Sequence, residues 1–227
     1  MKKRFVPGRH GVSVSAARRR QLLRFALMAP LGGLAAACGG LVPGQTPPPT
    51  LYRLTPKSTF RDDLPNVDWQ LVLQTPQADA SLNSTRIALQ RSPMQVEYYA
   101  RSSWTDRAPT MVQTLMIESF ENSGRIVSIG RESVGLRADF VLQSELREFQ
   151  AEYFDGAVPN AHVNITVKLV RMPTRDIVGS QSFEATMPAA ADRLDSVIEA
   201  FDEALGSVLR DLVEWTISAG TLSHRRA

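Results

Sequence analysis

The spacing of apolar residues changes from alternating to helical near the middle of the chain. Before the change, Ile87 and Leu89 alternate with polar neighbours, and Ser92 with Pro93 indicates a turn. The β-favouring residues around Tyr98 then predict a second short strand. This stretch therefore predicts two neighbouring strands joined by a tight turn.

A helix is predicted directly after these strands. Met111 and Leu115 stand four residues apart, which places them on one helical face. Asp106 is expected to be the N-cap, Pro109 fits the first turn, and Gly124 suits the C-terminal end. The sequence thus predicts a strand-to-helix junction here.

Six further segments have the alternation or the short apolar runs of strands: residues 51–54, 69–75, 126–129, 138–149, 161–172 and 176–187. In the segment 161–172, Val163 and Ile165 fall on one face, and His162 and Asn164 fall on the other. This pattern is typical of an antiparallel strand with one face in solvent. Turn residues between the last three segments predict a meander.

The longest apolar stripe lies near the C-terminus. From Asp192 onward, large apolar residues recur at helical spacing between Leu194 and Val213, which predicts a long helix that buries this face. The acidic residues beside the stripe favour packing in a core over lying on a membrane. Residues 218–227 are small, polar and basic, and are expected to be a disordered tail.

Together these elements predict an α/β fold of the α+β kind. We expect a single-domain sandwich in which two main helices pack on one face of a mixed, largely antiparallel sheet. The domain is expected to span residues 51–217, a length within the usual range for one hydrophobic core.

The first 37 residues have the composition of an export signal. They are basic and contain no acidic residue, and their apolar run at 25–37 is too short to cross a bilayer. Arg18 and Arg19, followed by Arg20, Gln21 and Leu22, resemble a twin-arginine signal. An ordinary basic leader is the alternative.

Cys38 is the one cysteine of the sequence, so it has no partner for an internal disulfide. It follows small residues at the position where a bacterial lipoprotein signal is cut and its cysteine acylated. We expect Cys38 to be lipidated and to anchor the protein on a membrane, whereas a soluble exported protein cut after Ala37 is the alternative. Residues 38–50 are rich in glycine and proline and carry no charge, which predicts a tether. Gly39 resembles an outer-membrane sorting signal.

The charge of the mature chain argues against nucleic-acid binding. Eight of the 26 Lys and Arg residues precede Cys38, and none of the 23 Asp and Glu residues does. The mature chain therefore has 18 basic and 23 acidic residues, a net charge of −5. The basic balance of the whole sequence comes from the leader, so no nucleic-acid partner is expected.

The mature chain has few candidates for chemistry. Its two histidines, His162 and His224, have no companions at metal-ligand spacing, and there is no nucleophile elbow and no glycine-rich phosphate loop. Three carboxylates, Glu145, Glu148 and Glu152, could pair in space, but charge on an exposed strand more often provides solubility. We therefore expect no catalytic residue, cofactor or metal. Trp104, at the strand-to-helix turn, is the residue expected to bind a partner.

These features resemble the family of ABC-type transport auxiliary lipoproteins over residues 51–217. The resemblance is carried by the run Leu51-Tyr52-Arg53-Leu54, the tyrosine-rich strand, Trp104, Pro109, an amphipathic helix ending in Ser123-Gly124, and the long second helix. It implies a sandwich fold and a periplasmic accessory protein of an ABC transporter that moves lipids between the inner and outer membranes.

The resemblance also implies a mechanism of docking, without bond chemistry, to a mammalian-cell-entry (MCE) type substrate-binding protein. Self-association is left open. Two alternatives remain at this point: an outer-membrane assembly or stability lipoprotein with a domain similar to the N-terminal domain of TolB, and a periplasmic hydrolase or sugar-binding lipoprotein.

Overall fold

Nine strands form one mixed sheet within the parts of the chain that the computed structural model describes, residues 48–132 and 137–225. The strands are β1 (Thr50–Tyr52), β2 (Val67–Leu73), β3 (Gln77–Ala78), β4 (Arg86–Ser92), β5 (Gln95–Trp104), β6 (Ile126–Arg131), β7 (Phe140–Glu152), β8 (Asn160–Arg171) and β9 (Asp176–Pro188). The two helices are α1 (Ala108–Ser123) and α2 (Leu194–His224). The leader, Cys38 and most of the predicted tether lie outside the described residues. The described part of the domain begins its first strand at Thr50, one residue earlier than expected.

Strand β7 is the centre of the sheet. One of its edges pairs with β8 along the whole strand, and β8 pairs with β9; both ladders are antiparallel, as the meander prediction requires. The other edge of β7 pairs in succession with β2, β3 and β4, all parallel. The sheet therefore divides into a branch that continues through β2 to β6 and a branch that continues through β4 and β5 to β1. The prediction of a mixed sheet with two helices is confirmed.

A β-bulge divides β7 into two parts with opposite alternation. The register with β8 shifts between Leu146 and Glu148, and two successive residues, Arg147 and Glu148, lie on the outward side. Before the bulge the even-numbered residues are buried, as Leu146 is, whereas after it the odd-numbered Phe149 is. An extra residue in one strand has this effect because successive side chains point to opposite faces.

Helix α2 lies on β8 and β9 and buries the predicted apolar stripe. Val197, Phe201, Leu205 and Leu209 are among its buried residues and belong to the main core cluster. The prediction of a disordered tail from residue 218 is wrong as far as His224, because the helix continues to that residue and Gly220 packs against the ring of Trp69. Gly220 and small polar residues such as Ser223 face the core here, which is why the end of the helix lacks an apolar pattern in the sequence.

Helix α1 packs against α2 and β6. Pro109 lies in its first turn, and Gly124 ends it in the left-handed conformation at φ 63°, as expected. Asp106 is not the N-cap, which is Arg107; the Asp106 carboxylate instead accepts a hydrogen bond from the Arg107 amide at 2.6 Å. The amide of Ala108 donates to the carbonyl of Ser84 in the loop between β3 and β4, so a backbone group satisfies an amide that a side-chain cap would otherwise bind.

Neither α1 nor α2, the helices of the described residues, combines the length and the apolar run that crossing a bilayer requires.

Candidate functional site

The titratable cluster on the outward face of the sheet is centred on His162 of β8. Because Val163 and its alternate neighbours face the core, His162 points to the opposite side, as the sequence predicts. Its Nδ1 lies 2.7 Å from Oε1 of Glu152 on β7, and its Nε2 lies 2.7 Å from Oε1 of Glu184 on β9. The ring therefore joins all three strands of the meander.

Gln150 extends the cluster along β7. Its amide nitrogen donates to Oε2 of Glu148 at 2.6 Å and to Oε1 of Glu152 at 2.9 Å. Its side-chain oxygen accepts from the backbone amide of Phe149 at 2.8 Å, and the residue is buried. The bulge places Glu148, Gln150 and Glu152 on the side of His162, which makes the cluster a consequence of the extra residue in β7.

The carboxylates favour the charged form of the imidazole. Burial opposes a charge on His162, but the hydrogen bonds to Glu152 and Glu184 outweigh it and raise the pKa of the ring above its ordinary value. Both ring nitrogens already contact carboxylates, so neither is free to take a proton from a nucleophile in this arrangement. The cluster is therefore a cross-strand ion-pair network.

The same cluster contains the side chains that could hold a metal. Ligand atoms of Glu148, Glu152 and His162 lie within 4.8 Å of one another, a set of oxygen and imidazole donors that suits divalent transition metals. Binding there would require the imidazole to exchange the Glu152 contact at Nδ1 or the Glu184 contact at Nε2 for the metal. In the structure, both ring nitrogens of His162 have carboxylate partners without an ion.

The structure brings together two of the three carboxylates that the sequence singled out. Glu148 and Glu152 share the amide of Gln150, whereas Glu145, before the bulge, forms an ion pair with Arg147 at 3.1 Å. Sequence reasoning missed Glu184. Glu184 is exposed between the half-buried Phe183 and Ala185 on β9, and the register between β8 and β9 brings it beside His162.

A second polar network lies at the same end of the sheet. The hydroxyl groups of Tyr99 and Tyr153 are 2.9 Å apart, and Tyr153 donates to Oδ1 of Asp192 at 2.9 Å. Burial, together with the bond to Tyr153, raises the pKa of Tyr99 well above its ordinary value, so this hydroxyl stays protonated. The guanidinium of Arg91 lies 4.7 Å from the centre of the Tyr153 ring. These contacts fasten β5 and the end of β7 to the segment that precedes α2.

The prediction that Trp104 binds a partner is wrong. Its side chain is 1 % exposed and packs against Phe149 and Phe201, with ring centroids 5.4 Å away in each case. A Trp at a strand-to-helix junction can point into the core or away from it, and the Trp104 side chain points into the core. Cys38, the other predicted functional residue, lies outside the described residues.

Open clefts of about 260 to 390 Å³ line the surface of the described residues. One of them, of about 260 Å³, is bounded by Arg53, Asp106 and Met111, among others. His162 lines none of these five clefts of the described part. Active sites usually combine a concave pocket with perturbed titratable groups, and here the two features are separate.

Comparison with known proteins identifies the family. The model of the ABC-type transport auxiliary lipoprotein component family matches residues 51–213. An uncharacterized protein of Bradyrhizobium diazoefficiens is 26% identical over 195 residues, which are 83% of this chain and 50% of that protein. The chain therefore spans about half the length of this curated relative.

Two solved structures resemble the fold. The crystal structure of protein XCC0632 from Xanthomonas campestris is 28% identical, superposes with a TM-score of 0.74, and is covered over 99% of its length by 78% of this chain. The crystal structure of an uncharacterized protein, 12% identical, has a TM-score of 0.54, with 80% of this chain and 100% of that one aligned. The second likeness concerns the fold alone.

Proposed function

The chain belongs to the family of ABC-type transport auxiliary lipoprotein components, and on that premise we propose that it is a non-catalytic, membrane-anchored subunit of an ABC transport system. The observation that carries the proposal is the family match over residues 51–213. This range begins within β1 and ends within α2, so it includes every strand and both helices at least in part. The resemblance therefore concerns the domain as a whole.

The proposed mechanism is docking to a periplasmic partner. The partner is an MCE-type substrate-binding protein, and the cargo of the transporter is lipid that moves between the inner and outer membranes. Two features support a binding role over catalysis. Both nitrogens of His162 are engaged by carboxylates, and this titratable cluster lies outside the five open clefts described above.

The proposed location is the periplasmic face of a membrane, with the outer membrane favoured by Gly39. Acylation of Cys38 supplies the anchor, since more than one acyl chain gives stable attachment at about 0.8 kcal/mol for each buried CH₂ group. An uncharged tether follows, so the folded domain is free to reach a partner beyond the lipid headgroups.

The test is to recover the lipidated protein from its own envelope, gently solubilised, and to identify what accompanies it by mass spectrometry. We expect subunits of an ABC transporter, among them an MCE-type protein. His162→Ala is the matched control, because a docking protein should keep the same partners after loss of this ring.

Two results would overturn the proposal. One is recovery of the folded, anchored protein with no transporter subunit. The other is a His162→Ala variant that stays folded, anchored and bound to its partner yet no longer supports transport, because that outcome would assign chemistry to the cluster.

A further inference from the structure

Three connections meet at one end of the sheet. They are the turn between β4 and β5, the loop between β7 and β8, and the segment between β9 and α2. The amide of Tyr153, at the start of the second connection, donates at 2.9 Å to the carbonyl of Gln90 in β4, two residues before that strand ends at the first connection. The amide of Ala189 donates to the carbonyl of Pro159 at 2.9 Å, which joins the last two. The hydroxyl of Tyr153 bonds Asp192 as well, so the three connections form one continuous surface.

Four large apolar side chains project from this surface, which we call the apolar end: Met94, Val96, Phe154 and Val158. Met94, in the two-residue turn, is 97% exposed, and Phe154 in the neighbouring loop is 41% exposed. The described residues expose eight large apolar side chains in all, and half of them lie here. Such concentration marks a contact surface, whereas single exposed apolar residues do not.

The apolar end carries little charge. Residues 92–96 and 188–191 contain no ionisable side chain, and Asp155 is the one acidic or basic residue of 153–160. The segment before α2 ends in one acidic and one basic residue: Asp192, which accepts a hydrogen bond from the Tyr153 hydroxyl, and Arg193, which donates to Ser196. Arg91 and Tyr153 stand beside these loops, and residues of these two types suit the headgroup layer of a bilayer. The surface therefore matches a partly apolar partner without net charge.

The direction of β1 relates the apolar end to the predicted anchor. β1 runs parallel to β5, with Thr50 level with Ser102, so the chain enters the domain from the side where β5 begins at Gln95. Gln95 stands seven residues before Ser102, a span of roughly 23 Å in a strand. The tether between Cys38 and Thr50 covers roughly 35 Å when extended, which is long enough to pass this end.

We propose that the apolar end rests on the surface of the bilayer in which Cys38 is anchored. The inference deepens the proposed function, since it rests on that anchor. A bilayer is favoured over a protein partner because three of the four side chains project from loops and Val96 lies in the first turn-adjacent part of β5, and four side chains are too few for the roughly 1,000 Å² of a specific protein interface. Contact with lipid requires no such area. The tether supplies a high local concentration, so a contact too weak to hold a free domain orients an anchored one.

The experiment places an environment-sensitive fluorophore on the lipidated mature chain, which begins at Cys38, in vesicles of zwitterionic phosphatidylcholine. Met94→Cys and Phe154→Cys carry the fluorophore at the apolar end, because the acylated Cys38 no longer reacts. Val127→Cys and Ile177→Cys are the controls, since these residues are 79% and 61% exposed and lie towards the opposite end of the sheet. Flotation of the unlabelled protein with the vesicles verifies the anchor separately.

In the vesicles we expect the emission at residues 94 and 154 to be several-fold higher than at the control residues 127 and 177. If the protein floats while the emission at all four positions stays low, the anchor is present but the apolar end does not contact the bilayer. That result would refute the inference. A signal at residue 94 that requires an added envelope protein assigns the end to a protein partner and also refutes it. A chain that does not float contradicts the anchor, and with it this inference.

Discussion

Gly220 tests whether the last turns of α2 pack against the core. A Cβ atom at this position would lie 2.6 Å from Cζ2 and 3.1 Å from Cε2 of Trp69. The Trp69 ring is 2% exposed and meets Phe140 edge-on, with centroids 5.1 Å apart, so it has no room to retreat. Gly220→Ala therefore forces the helix and the sheet apart.

The magnitude follows from two opposing effects. Overpacking of a filled core costs about 1–3 kcal/mol, whereas replacing a glycine inside a helix by alanine contributes about 1 kcal/mol of stability. Gly206→Ala in the same helix is the matched control, because the nearest atom to its Cβ would be Cδ of Lys57 at 3.9 Å. The gain in helix propensity is common to both variants. The difference between their free energies of unfolding therefore measures the clash with Trp69, about 1–3 kcal/mol.

The assay is urea unfolding of the mature chain carrying Cys38→Ser, followed by tryptophan fluorescence. With an m value of about 2 kcal/mol/M, the Gly220→Ala midpoint should lie about 0.5–1.5 M below that of Gly206→Ala. If both variants gained the same stability, residues 218–224 would not pack on Trp69. That result would refute the packing of the last turns of α2 against the core.

Three further outcomes are expected. Cys38→Ser should move the protein from the membrane to the soluble fraction, and retention of the variant in the envelope, or a bare thiol in the mass of the native N-terminus, would contradict the anchor. Leu205→Asp should unfold the domain because a buried unpaired charge costs several kcal/mol, whereas Leu222→Asp on the exposed face of the same helix should leave the circular dichroism unchanged. His162→Gln should lower stability in a pH-dependent way: the raised pKa means that the ion pair contributes fully below the ordinary value of 6.5 and is lost as the pH rises through the folded-state pKa. The loss should be about 1 kcal/mol near pH 5.5, discounted for the exposed Glu184 carboxylate, and should shrink towards pH 9; an equal loss at both values would refute the charged ring.

Local sequence patterns predicted most of the strands and helices but not how these elements pair and pack. Alternation in β8 and the stripe in α2 are properties of one segment, so the sequence alone predicted them. The parallel pairing of β7 with β2, β3 and β4 depends on contacts between distant segments, and no residue pattern specifies it. The bulge at Arg147 is likewise visible only through the register with β8.

The candidate site followed the same division. His162 was placed correctly on the outward face, but its partner Glu184 became apparent only from the pairing of β8 with β9. Trp104 was expected at a surface, but a position at the end of β5 does not determine where a side chain points, and the Trp104 ring packs in the core beside Phe149. Gly220 and Ser223 are buried without being apolar, and a pattern based on hydrophobicity could not detect them.

Purification of the transporter itself tests the central claim most directly. An ABC transport complex would be isolated from the native envelope through a tag on its MCE-type subunit, and the amount of this chain in it measured by mass spectrometry. The account predicts that the chain is present in a fixed ratio to the tagged subunit and that His162→Ala leaves this ratio unchanged. A purified, transport-competent complex that lacks the chain, taken from cells in which the chain is folded and anchored, would contradict it.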